Sequence, residues 1–102
     1  MSYSILIYKE KNADTPIGEI HFSGHKTYRN IYLPLIKVLQ LYLLEKFDYG
    51  VLISFEEVPL LIEEFGKLKN AMRNESDLNR FDFIINELKS LDKEKYECLY
   101  LG

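Results

Sequence analysis

YGVLISFEEVPLLIEEFGKLKNAM, residues 49–72, changes its period partway along. Tyr49 to Ser54 is short, with apolar residues on both faces of an extended pleat, and reads as a strand. From Phe55 the repeat becomes helical: Val58, Leu61, Ile62, Phe65, Leu68 and Met72 fall on one stripe. Ser54 and Glu57 have the spacing of a capping box, and Pro59 suits a first helical turn. Gly66 weakens the middle of this helix by about 1 kcal/mol relative to alanine, which a close neighbour needing the space would justify. A strand that feeds directly into an amphipathic helix implies a sheet with helices laid against it.

Upstream, Tyr3 to Lys9 (YSILIYK) alternates with apolar residues on both faces, which predicts a central strand covered at least partly on both sides. Asn12 to Pro16 is a turn, and Ile17 to Ser23 is a second strand that completes a hairpin. From about Lys26 to Phe47 the period is helical, with Tyr28, Ile31, Tyr32, Leu35, Val38, Leu39, Tyr42 and Leu43 on one face. Ile36, Leu41 and Leu44 make the flanks apolar as well, so this helix is either buried on two sides or forms a subunit interface. An interior Pro34 would cost about 3 kcal/mol, so the helix is expected to begin near Asn30 or Leu33, or to kink at the proline. Downstream, Asn74 to Asp77 caps a third helix, which runs to about Leu91 through Leu78, Phe81, Ile84, Ile85 and Leu88. Tyr96 to Leu101 reads as a last strand or as an extension of the helix, the strand being the preferred reading. The order β-β-α-β-α-α-(β) predicts an α+β fold: a small, mostly antiparallel sheet of three or four strands with three helices, in a single domain over 1–102.

Composition agrees with one domain. The chain has 102 residues, 47% hydrophobic and 28% charged, enough for one core. A lone cysteine, Cys98, makes no internal disulfide, and the amino-terminal segment lacks a basic region before its short apolar run, so the expectation is a soluble cytoplasmic protein. The apolar stretch Ile31 to Leu44 is broken by Pro34, Lys37 and Gln40, and falls short of the about 20 apolar residues a membrane span requires. The net charge is −3, and residues 54–102 hold seven basic and eleven acidic side chains. An acidic half repels phosphate backbones and attracts a basic protein partner, so nucleic acid is not the expected target.

His21 and His25 are four apart, a metal spacing only on a helix, and His21 belongs to a strand. Further ligands are lacking, so no metal or cofactor is expected. Glu19, His21 and Ser23 would share one strand face, but neighbours on that face stand about 6–7 Å apart, too far for a nucleophile and its base. Cys98 sits beside Glu97 and Leu99, surroundings that leave a thiol inert. No glycine-rich phosphate loop is present. No catalytic residue is therefore assigned. The acidic pairs remain. Glu56–Glu57 and Glu63–Glu64 are seven residues apart, which on a helix stacks them in an acidic stripe beside the apolar one. The expected partner-binding face is Glu56, Glu57, Glu63 and Glu64, joined by Asp77, Asp82 and Glu87 from the next helix. The first functional expectation is a small acidic protein-binding domain, of the immunity or inhibitor type that neutralises a basic toxin or enzyme. The alternative is a homo-oligomeric structural or accessory subunit, dimerising through the helix 34–47. A histidine-dependent enzyme is the third.

Overall fold

The computed structural model describes residues 2–102. Four strands form one antiparallel sheet: β1 (Ser2–Tyr8), β2 (Gly18–Gly24), β3 (Val51–Ser54) and β4 (Cys98–Leu101), in the spatial order β2-β1-β4-β3. The last strand is inserted between the first and the third. Ile5, Leu101 and Val51 lie side by side, as do Leu6, Tyr100 and Leu52. Alternation then sorts the sheet into two faces. Tyr3, Ile5, Ile7, Ile20, Phe22, Ile53, Leu99 and Leu101 enter the core, under the helices. Leu6, Tyr8, Leu52 and Tyr100 lie on the other face, half-buried or exposed. Partial cover for that second face comes from the 9–16 loop, where the Lys11 amide donates to the Glu97 carboxylate at 2.9 Å. The fold is the α+β class that the sequence pattern predicts.

A β-bulge interrupts the hairpin. Tyr3 pairs with Ser23 and Ser4 with His21, so Phe22 is the extra residue of β2. The shift buries Phe22 and Ser23 together. It removes Ser23 from the face carrying Glu19 and His21. Phe22 becomes the hub of the core, its ring packing against Tyr28, Tyr32, Phe47, Phe65 and Phe81 with centroids 4.9–6.1 Å away.

Four helical rods cover the sheet, where the sequence pattern predicts three. The first is continuous over 25–38: α1 (His25–Thr27), a π turn (Tyr28–Tyr32) and α2 (Leu33–Val38). The helical backbone already runs through residues 25–33 ahead of Pro34. The widened turn ahead of the proline supplies the reason: the Leu33 amide reaches back five residues to the Tyr28 carbonyl, which relieves the crowding a proline ring causes in a regular α-turn. The rod stops at Leu39. Gln40 adopts φ 57°, its amide bonds the Lys37 carbonyl at 3.2 Å, and the Leu41 amide bonds the Ile36 carbonyl at 2.9 Å. This is a Schellman end with the buried pair Ile36 and Leu41 as its apolar clasp. A separate short rod follows, α3 (Tyr42–Glu45) with a 3-10 turn (Lys46–Asp48). The expected single helix 34–47 is thus two segments. Each turns its own apolar side inward, so Ile36, Leu41, Leu43, Leu44 and Phe47 are all buried without a second subunit.

A 3-10 turn (Phe55–Glu57) leads from β3 into α4 (Val58–Asn70), and α5 (Glu75–Lys89) packs against it. Pro59 occupies the first turn of α4 as expected. The capping box does not form, because Ser54 precedes the 3-10 turn and its side chain makes no cap bond. Asn74 does cap α5, accepting from the Asp77 amide at 2.8 Å. No helix is long and apolar enough to cross a membrane among the described residues.

Candidate functional site

The predicted acidic face does not stay together. Glu64 is the clearest correction. It is 4% exposed and turns into the core, where its carboxylate accepts from the amides of Leu43 (3.0 Å) and Leu44 (3.1 Å). Leu41, at the N-cap of α3, offers no side-chain acceptor, so Glu64 caps that helix from across the fold. Burial raises its carboxyl above the usual range, while the two amides pull it down. Asp77 is also committed. Its carboxylate accepts from the Tyr32 hydroxyl and from the Asn74 side-chain amide, each at 2.6 Å. Glu63 pairs with Lys67 at 3.3 Å, and Asp82 pairs with Lys69. The groove between α4 and α5 is lined by Glu63, Lys67, Lys69, Asp82 and Lys89, so its charge is mixed. Glu87 is exposed on α5.

Glu56 and Glu57 are different. Both are exposed and neither forms an ion pair among the described residues. They follow directly on β3, which is an edge of the sheet. That edge leaves the amides and carbonyls of alternate residues open outward. It is bracketed by exposed apolar side chains: Tyr49 at 82%, Leu52 at 45% and Phe55 at 39% exposure. The strand itself, VLIS, contains no charge, lysine or proline to blunt pairing. The sequence carried this signal in YGVLISF. Which strand would be left at the edge depended on where β4 inserted.

The approach to this edge is held by Tyr100. Gly50 has φ 76°, and a Cβ there would stand 2.0 Å from the Tyr100 hydroxyl. The bare backbone lets the ring lie over the start of β3, beside Leu52 on the open sheet face.

The histidines part company. His25 lies against Tyr3, ring centroids 4.1 Å apart, while His21 is exposed on β2. Ser23 donates to the Gly24 carbonyl at 2.8 Å, and Glu19 accepts from Ser4 at 2.7 Å, so no triad assembles. Among the described residues no three His, Cys, Asp or Glu side chains are grouped to hold a metal ion. Cys98 is buried on the sheet, and burial raises its thiol pKa, with Glu97 adding to the rise. No family model, curated protein or solved structure matches this chain.

Proposed function

We propose that this chain is a protein-binding domain rather than an enzyme, and that it captures an extended, basic segment of a partner along β3. The observation that supports it most is the edge itself: an uncharged strand with Tyr49, Leu52 and Phe55 exposed, ending in the unpaired carboxylates Glu56 and Glu57. Open backbone groups favour strand addition, alternate side chains add selectivity, and the two carboxylates favour lysine or arginine where the partner strand passes the Ser54 end. The edge is only four residues long, so the flanking aromatics must supply much of the binding energy. An immunity or inhibitor role against a basic enzyme fits this chemistry. A membrane or nucleic acid does not, because both present anionic surfaces to Glu56 and Glu57.

The test is affinity capture with wild type, E56K/E57K, and E63K/E87K. The partner should be lost with E56K/E57K, whose like charges cost at least about 2 kcal/mol, or about thirtyfold. The E63K/E87K control should retain it. Equal loss in both variants would show a diffuse charge effect, and retention in both would remove β3 from the reading.

A further inference from the structure

The opposite edge of the sheet carries a second feature of different chemistry. Beside β2 lies a cavity of about 180 Å³, where His21, Thr27, Tyr32, Ser76, Asp77 and Arg80 converge from β2, the first helical rod and α5. Its volume equals about six water molecules, too small for most cofactors but sufficient for one tetrahedral anion.

The walls of this cavity are rich in donors. Arg80 is exposed and forms no ion pair among the described residues, although Asp77 is only three residues away on the same helix. One arm of its guanidinium is fixed: Nη1 donates to the Phe22 carbonyl at 3.3 Å, at the residue the β-bulge leaves without an opposite partner. A guanidinium has five N–H donors, so several are left for a ligand. Thr27 and Ser76 add hydroxyls and His21 adds an imidazole. The only carboxylate there, Asp77, is already held by Tyr32 and Asn74. Two departures from regular backbone meet here, the bulge that places Phe22 and the π turn that ends at Tyr32. Both kinds of irregularity recur at functional sites because they re-aim side chains.

We propose that this cavity binds a phosphate group, with Arg80 as the charged anchor and Thr27, Ser76 and His21 as hydrogen-bond donors. Asp77 keeps lone pairs beyond its two bonds. It therefore favours a ligand with a hydroxyl next to the phosphate, and disfavours larger polyanions by repulsion. The site is independent of the β3 edge, being on the other side of the sheet.

The experiment is a titration of the full chain followed by amide NMR, with inorganic phosphate as the first probe and glycerol phosphate as the second. Saturable shifts are expected at residues 21–27 and 76–80 with dissociation constants near or below about 1 mM. Tighter binding of glycerol phosphate supports the hydroxyl contact at Asp77, and equal or weaker binding overturns that contact. Arg80→Gln keeps an amide donor for the Phe22 carbonyl and should weaken binding at least tenfold. If that variant does not fold, Thr27→Val with Ser76→Ala serves instead and should also weaken it. Absence of saturable shifts, or binding unchanged in a folded variant, overturns the proposal.

Discussion

Two amides at the start of α3, those of Leu43 and Leu44, find no acceptor in their own helix and are held by Glu64. Glu64→Ala orphans both in a buried place. Bonds to a charged acceptor contribute about 1.5–3 kcal/mol each, with incomplete additivity, so urea unfolding should show a loss of about 2–4 kcal/mol. Glu64→Gln keeps one carbonyl oxygen for the amides and should lose much less. The pH dependence separates charge from hydrogen bonding. Burial raises the Glu64 carboxyl in the folded chain, so the folded state holds its proton more tightly than the unfolded state. Ionisation then costs stability. The contribution of this group is most favourable below the ordinary carboxylate pKa of about 4.3, and declines as pH rises through the raised folded value. Wild type should therefore lose stability relative to Glu64→Gln as pH rises above the ordinary carboxylate range. A constant gap between them would mean that the carboxylate is not penalised by its burial. The sequence placed Glu64 in a stripe with Glu57 because both have helical spacing. Spacing does not report that the amides of another helix need an acceptor at that point.

At the scale of elements, one helix end lacks the glycine its backbone favours and one helix interior carries a glycine its packing does not need. Gln40 ends the first rod at φ 57°, a conformation that costs a side chain about 1–2 kcal/mol. Gln40→Gly should raise stability by about 0.5–1 kcal/mol after the greater freedom of the unfolded chain is subtracted. Gly66, in the middle of α4, meets nothing within 4 Å where a Cβ would stand. No neighbour needs the space, so the one packing reason that would justify the glycine is missing, and Gly66→Ala should add about 0.5–1 kcal/mol. Thermal unfolding checks both, and a lowered midpoint in either variant contradicts the reading. The missing glycine at residue 40 is also why the break was not legible. An apolar repeat runs through Tyr28 to Phe47 with no glycine to interrupt it, and Pro34 is absorbed by a π turn. Strands β1 to β3 were legible from their alternation. The position of β4 between β1 and β3 was not, because it depends on pairing across more than forty residues.

At the scale of the whole molecule, the acidic balance is real but dispersed. Glu64 is buried, Asp77 is bonded, Glu63 and Asp82 are paired with lysines, and Glu56 and Glu57 stand free at one edge. Charge counts made the acidity legible, while its distribution required the packing of α4 against α5. The same packing bears on oligomeric state. The case for a dimer rested on a helix apolar on two sides, and the break at Gln40 lets Ile36, Leu41, Leu43, Leu44 and Phe47 all be buried within one chain. Val38, Leu39 and Tyr42 remain exposed at the turn. A stable dimer of ordinary size buries about 800 Å² per subunit. Against a total surface of 6392 Å² that is about one eighth of the molecule, more than three side chains at a corner can provide. The β3 edge, four residues long, offers too few backbone bonds to hold a second copy by itself. The chain should therefore sediment as a 12.1 kDa monomer at micromolar concentration. Sedimentation as a dimer that Val38→Lys with Tyr42→Lys dissociates would instead make the corner between α2 and α3 a subunit interface, and a dimer that Leu52→Lys dissociates would make β3 its seam.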